Sequence, residues 1–201
     1  MTPQAEIQTE PVLELFRATG AYLTGHFRLT SGLHSPEYLQ CALVLQHPEH
    51  AEWLGRQLAQ ELKALLLERS VHAVASPAVG GLIIGHEAAR ALGARFIFTE
   101  RDSSGKMTLR RGFTVTAADT VVVVEDVITT GGSTKEVVEL LTAAGARVAA
   151  AASIIDRSGG AANVGVPRVA LATLQVITHP PESCPLCAQG LPATKPGSRP
   201  V

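Results

Sequence analysis

The sequence predicts an α/β protein: a mainly parallel sheet flanked by helices, with a small strand-and-turn subdomain at its N-terminal end. Three observations lead there. Val121 to Val124 is a run of four β-branched residues without polar alternation, as a strand buried on both faces requires. Short apolar runs alternate with stretches of helical period, the pattern of a parallel sheet with crossover helices. Those runs also end abruptly in polar or glycine-rich turns, after Ser76, Glu100, Asp126 and Asp156. Parallel strands carry such turns to one edge of the sheet, where open α/β folds bind their ligands.

Taken in order, residues Met1 to Glu10 read as a frayed lead-in, and Pro11 as the first residue of a helix that Gly20 stops. Val12, Leu15 and Phe16 share one face of that helix. Short alternating pieces around Gly25, Gly32 and Pro36 suggest the small subdomain. A long amphipathic helix follows Pro48, with Trp53, Leu54, Leu58, Leu62 and Leu65 facing the core. Val71 to Ser76 is a strand, followed by the turn Pro77 to Gly81 and a helix to Leu92. Arg95 to Thr99 is the next strand, opening into a polar, basic loop from Glu100 to Thr116. After the valine strand a helix runs to Ala144, with Gly145 at its C′ position. Val148 to Ile155 and Val169 to Ile177 complete the strands, and a proline-rich tail follows. The expected organisation is 1–45 for the N-terminal helix and small subdomain, 46–178 for the core, and 179–201 for the tail.

Composition narrows the function classes. At 201 residues, 46% hydrophobic and 17% charged, the chain can build one full core with an appendage. Lys+Arg 17 against Asp+Glu 18 leaves a net charge of −1, which gives no electrostatic case for nucleic acid or membrane partners. No apolar run approaches the roughly 20 residues of a membrane span, and the N-terminus lacks the basic and apolar parts of a signal peptide. Three cysteines argue against a disulfide framework and for a reducing cytoplasm. Cys184 and Cys187, with His179 nearby, offer three zinc ligands at most, and Cys41 is a fourth only if the fold brings it near. Ordinary tail packing is the expected role of the pair. His26 and His34 read as polar surface groups.

The stretch Thr120 to Glu136, TVVVVEDVITTGGSTKE, concentrates the chemistry. Glu125 and Asp126 close the buried strand, and Thr129, Thr130, Gly131 and Gly132 form a small-residue loop. Ser133 and Glu136 fit a capping box, with Ser133 as N-cap. Glycine-loop amides at a helix start cradle phosphate, while the two carboxylates must face sugar hydroxyls or a metal-loaded group. Neither GxxxxGK[ST] nor GxGxxG is present. A plain strand-turn-helix with a surface acidic pair is the alternative.

That stretch resembles the phosphoribosyl diphosphate motif of the type I phosphoribosyltransferases. The segment FRLTSGLHSPEYLQ resembles the substrate hood of the orotate phosphoribosyltransferase family, and the strand end Asp156-Arg157 its orotate-binding arginine. The resemblance extends from about Leu13 to Arg157. It implies the type I phosphoribosyltransferase fold and transfer of a phosphoribosyl group to orotate, in pyrimidine biosynthesis. It further implies that Glu125, Asp126, Val127, Ile128, Thr129, Thr130, Gly131, Gly132 and Ser133 hold the sugar donor, and that Thr129 and Arg157 hold orotate. Glu125 and Asp126 would act in catalysis with Arg101 and Lys106 of the basic loop, where Arg110 and Arg111 add charge. Mg2+ would be carried mainly by the diphosphate, without a dedicated protein site. A basic loop residue from a neighbouring subunit completes the family's site, which implies a homodimer. Two departures stand out: Thr30 and Gly80 occupy positions where family members often carry lysine. A purine-base phosphoribosyltransferase and a non-catalytic sensor of the same sugar donor are the rival readings. An ion pair with Asp156 is the structural alternative for Arg157.

Overall fold

A computed structural model of the chain describes residues 4–29 and 31–196. The core is a six-stranded sheet in the order β5-β4-β3-β6-β7-β8. Its strands are β3 (Ala73–Pro77), β4 (Arg95–Arg101), β5 (Met107–Leu109), β6 (Thr120–Ile128), β7 (Arg147–Asp156) and β8 (Arg168–Thr173). All neighbours pair in parallel except β4 with the edge strand β5.

β6 is central because both of its faces are apolar. Val122 and Val124 pack into one cluster with Val74 and Ala152, while Val121 and Val123 pack into the opposite one with Ala75 and Ala151. The first cluster is covered by α1 (Gln4–Ala18), α2 (Cys41–Leu45), α3 (Pro48–Leu65) and α4 (Gly81–Leu92). α5 (Gly132–Ala143) covers the second through Val137, Val138 and Leu141. Each buried valine side chain contributes about 1.5–3 kcal/mol. Close approach matters as well as apolar area. A Cβ at Gly85 of α4 would lie 2.6 Å from the Phe96 ring, so only glycine lets α4 sit this near the sheet.

The small subdomain is a two-stranded antiparallel sheet of β1 (Tyr22–Arg28) and β2 (His34–Leu39). The tail lies across it. His34 and His179 exchange backbone hydrogen bonds of 2.8 Å each, and Arg28 N–H donates to the Thr194 carbonyl at 2.7 Å. The tail carries one turn of 3-10 helix, Pro181–Ser183, and the short helix α6 (Pro185–Ala188).

Four expectations change. α1 begins at Gln4 and runs through Pro11, because Gln4 to Gln8 are helix-compatible and proline removes only one ladder bond. The basic segment is partly a β4–β5 hairpin. Asp102 Oδ1 staples its turn by accepting from the Ser104 amide and hydroxyl and the Lys106 amide, at 2.6–3.0 Å. The last strand stops at Thr173, and the chain then leaves the sheet to pass the small subdomain, where Ser35 Oγ donates to the Ile177 carbonyl at 3.1 Å. His26 and His34 are buried, not surface groups, because the tail covers them. Thr30 lies outside the described residues.

At the end of β7, Asp156 is 1% exposed and pairs with Arg168 at 2.8 Å. Burial works to raise the Asp156 carboxyl pKa, but the Ser158 hydroxyl and amide together with Arg168 outweigh it and hold it below the ordinary value. Its contribution to stability is therefore full above the unfolded carboxyl's pKa and lost as pH falls through the depressed one. Arg168→Ala strands that carboxylate. The variant is expected to lose about 3–5 kcal/mol, measured as a lower urea midpoint at unchanged m-value.

Candidate active site

The strand order changes direction between β3 and β6. β3 leads through α4 to β4 on one side, and β6 leads through α5 to β7 on the other. A crevice opens beyond the carboxyl ends of such a pair. Asp126 and Gly80 meet in it. A Cβ on Gly80 would lie 2.7 and 2.8 Å from the Asp126 carboxylate oxygens, so a side chain at position 80 would require the end of the Asp126 side chain to move aside.

The two carboxylates differ in surroundings. Glu125 Oε2 accepts from the buried Thr134 hydroxyl at 2.5 Å, which aims the side chain from the first turn of α5. Asp126 is half-buried, and burial pushes its carboxyl pKa up, against the Val127 amide that donates to it at 2.9 Å. Below them the chain turns through exposed Thr129 and Thr130 into Gly131 at φ +82°. A Cβ on Gly131 would strike Val164 at 2.9 Å as well as strain the backbone.

The capping box does not form. Gly131 is the N-cap, no side chain caps α5, and Glu136 pairs with Arg101 at 2.7 Å instead of reaching back. The left-handed glycine starts the helix earlier than the Ser-x-x-Glu spacing suggested, which puts Ser133 inside the first turn. The first-turn amides are left without a side-chain cap, as an anion cradle requires. Ile128 keeps its side chain in the core, so it has only backbone to offer a ligand.

Above this edge lies a cleft of about 410 Å3. Leu29, Ser31, Leu33 and Tyr38 of the small subdomain form one wall, and Asp126, Thr129 and Arg157 the other. Arg157 is held by its backbone, whose amide donates to the Ile128 carbonyl at 2.8 Å. Its Nε is buried without a hydrogen-bond partner. Burial lowers the guanidinium pKa, and the nearby Tyr38 and Glu37 oppose that. The ion pair with Asp156 is absent, because Asp156 is committed to Arg168 and Ser158. A planar cation that lines a cleft without a salt-bridge partner suits a flat carboxylate ligand.

Arg101 and Lys106 do not border this cleft. Arg101 sits at the end of β4, bound to Glu136 and to the Gly105 carbonyl at 2.7 Å each. Lys106 stands in the hairpin turn. Arg111 pairs with Glu100 at 2.7 Å. Sequence reasoning missed Tyr38 and Thr134 as parts of the site, and it noted Gly80 only as a place where family members carry lysine. The aromatic position of Tyr38 was visible in the hood motif, whereas the contacts of Gly80 and Thr134 carry no sequence signal.

The Asp126 carboxylate is a built-in cost to the free protein. With a folded pKa above the unfolded 3.8, stability falls as pH rises through that interval. Asp126→Asn is therefore expected to raise the melting temperature at neutral pH, with the gain shrinking on acidification, while abolishing turnover. Thermal scans across pH, paired with an activity assay, check both halves.

Comparison with known proteins agrees with this geometry. Residues 44–175 match the family model of the phosphoribosyl transferase domain. The orotate phosphoribosyltransferase of Pelotomaculum thermopropionicum is 52% identical over 192 residues, covering 96% of this chain and 98% of that protein. That of Heliobacterium modesticaldum is 54% identical over 193 residues, covering 94% and 98%. Among solved structures, orotate phosphoribosyltransferase from Aeropyrum pernix superimposes with a TM-score of 0.69 at 29% identity, covering 82% of this chain and 94% of that one. With about half of its residues identical to these relatives over nearly their whole length, and with the domain model matching most of the chain, the chain belongs to the orotate phosphoribosyltransferase family.

Proposed function

We propose that the cleft seats orotate against Arg157 while the edge from Glu125 to Ser133 holds phosphoribosyl diphosphate, so that the chain produces orotidine 5′-monophosphate and diphosphate. The observation that carries this reading is the half-buried Arg157, which lines the cleft beside Thr129 with no salt-bridge partner among the described residues. It offers orotate's carboxylate a charged, directional partner that a purine base cannot use. The amides from Gly132 to Thr134, with the hydroxyls of Thr129, Thr130 and Ser133, suit the 5′-phosphate.

Departure of diphosphate from C1 leaves positive charge on the ribose ring. Glu125 and Asp126 flank the ribose hydroxyls in this reading and stabilise that charge, Glu125 steadied by Thr134. Orotate is already an anion, so no strong base is required. Half-buried carboxylate oxygens fit a hard cation shared with substrate phosphates, as Mg2+ is usually held. Mg2+ bound with the diphosphate supplies charge neutralisation on the leaving group, and Asp126 is the residue best placed to meet it. The three cysteines are unpaired, which supports a reducing, cytoplasmic setting.

Arg101 and Lys106 act in the site of a neighbouring copy in this reading. Their position on the edge hairpin, outside their own cleft, supports a homodimer with a shared site. Mixing Lys106→Ala with Asp126→Asn subunits should then recover activity that neither variant has alone. A mixture as inactive as its components, with subunit exchange verified, places the lysine in its own site or in none.

The substrate assignment is tested by loss of orotate absorbance with phosphoribosyl diphosphate and Mg2+, with adenine and hypoxanthine as controls. Orotate alone should turn over. Arg157→Ala should raise the orotate KM about ten- to a hundredfold, as loss of charge-assisted hydrogen bonds worth roughly 1.5–3 kcal/mol predicts, with a much smaller change for the sugar donor. Equal effects on both substrates would assign Arg157 a structural role.

A further inference from the structure

The hood and the tail meet at a cluster that the transferase site does not use. His26 of β1, His34 of β2, and Cys184 and Cys187 around α6 each direct one ligand atom to a common point, all four atoms lying within 4.8 Å of one another. His26 Nε2 is 2.8 Å from His34 Nδ1 and 3.5 and 3.8 Å from the sulfurs of Cys184 and Cys187. The Cys187 sulfur is 3.3 Å from His34 Nδ1. A tetrahedral zinc with bonds of about 2.3 Å to sulfur and 2.0–2.1 Å to nitrogen has ligand–ligand edges of about 3.3–3.8 Å. The three nitrogen–sulfur distances fall in that range, and the two nitrogens must open by about half an ångström to reach it.

We propose that these four residues bind a structural zinc ion that fastens the C-terminal tail to the hood. Three further features support it. His26 Nδ1 lies 2.7 Å from the Leu191 carbonyl, which can only accept, so the proton sits on Nδ1 and the lone pair of Nε2 faces the cluster. Two thiolates and two neutral imidazoles make a charge-neutral zinc site, closed to water as structural sites are. The tail also lacks another anchor of comparable strength: between residues 173 and 196, Cys184 alone is buried. A segment that buries so little apolar surface needs a staple, and a metal supplies one. Sequence reasoning counted His179 with the two cysteines and Cys41 as a conditional fourth, whereas the cluster takes His26 and His34 in place of both. The His179 backbone, paired with that of His34, helps bring the tail to the two hood histidines.

The clamp bears on the cleft through the chain alone. Leu29, Ser31 and Leu33 lie between the two histidines in sequence, and Val176 and Thr178 precede the tail, yet all five line the cleft. Binding replaces the thiol protons of Cys184 and Cys187 with the cation and involves no redox change.

The test reads metal directly, without substrate, so its outcome is independent of the transfer reaction. Protein purified under reducing conditions should hold one zinc per chain by elemental analysis. After chelation, Co2+ alone should give the intense visible bands of tetrahedral cobalt with a sulfur-to-cobalt charge-transfer band. Cys187→Ser, at an exposed position, should weaken retention of either metal at least tenfold, as loss of one ligand requires. Proteinase K should cleave the tail faster in the stripped protein and at the original rate when zinc is restored. The proposal is overturned if reduced wild-type protein neither holds zinc nor takes up Co2+ stoichiometrically, if the cobalt spectrum lacks the thiolate band, or if Cys187→Ser binds both metals as wild type does.

Discussion

Everything at the site depends on β6 being buried on both faces. Val121 and Val123 face one layer of helices, Val122 and Val124 the other, and the strand is thereby held at the centre of the sheet. An element so constrained cannot slip, since a one-residue shift would move its side chains to the wrong layers. Its last residues consequently deliver Glu125 and Asp126 to a fixed point. In the turn that follows β3, Gly80 lies directly against the Asp126 carboxylate. Packing thus sets the distance between the acidic pair and the helix amides beyond Gly131.

The electrostatics of the cleft follow from a division of partners. Two arginines compete for one buried aspartate at the end of β7, and Arg168 takes it. Arg157, on the same strand end, is left half-buried along the cleft with no salt-bridge partner among the described residues. A half-buried cation without a salt-bridge partner is costly to a free protein, as is a half-buried carboxylate such as Asp126. Both costs sit at the same crevice, where an anionic acceptor and a sugar can offset them. Functional sites are where such local conflicts are retained.

Hood and tail form the second wall of the cleft, and little apolar burial holds that wall in place. β1 and β2 make a two-stranded sheet, which is marginal by itself. The tail adds backbone bonds to both strands and brings Cys184 and Cys187 to His26 and His34. Residues 26 and 184 are far apart in the chain, so no local pattern announces their meeting.

Much of the protein was legible in its sequence because local chemistry decides it. Unbroken β-branched runs can only be buried parallel strands here, and Glu125 to Gly132 can follow such a strand only at the ligand edge. Trp53, Leu54, Leu58, Leu62 and Leu65 mark a helix by spacing alone, and the hood motif with Arg157 pointed to the acceptor. What the tertiary structure decided are matters of distance between remote residues. It chose Arg168 over Arg157 as the partner of Asp156, replaced the expected cap of Ser133 with Gly131, and sent Glu136 to Arg101. It also buried the two hood histidines beneath the tail. Periodicity and motif spacing record the environment of one segment. Which charge a side chain finds, and whether a histidine meets a cysteine more than 150 residues away, is settled only when the layers close.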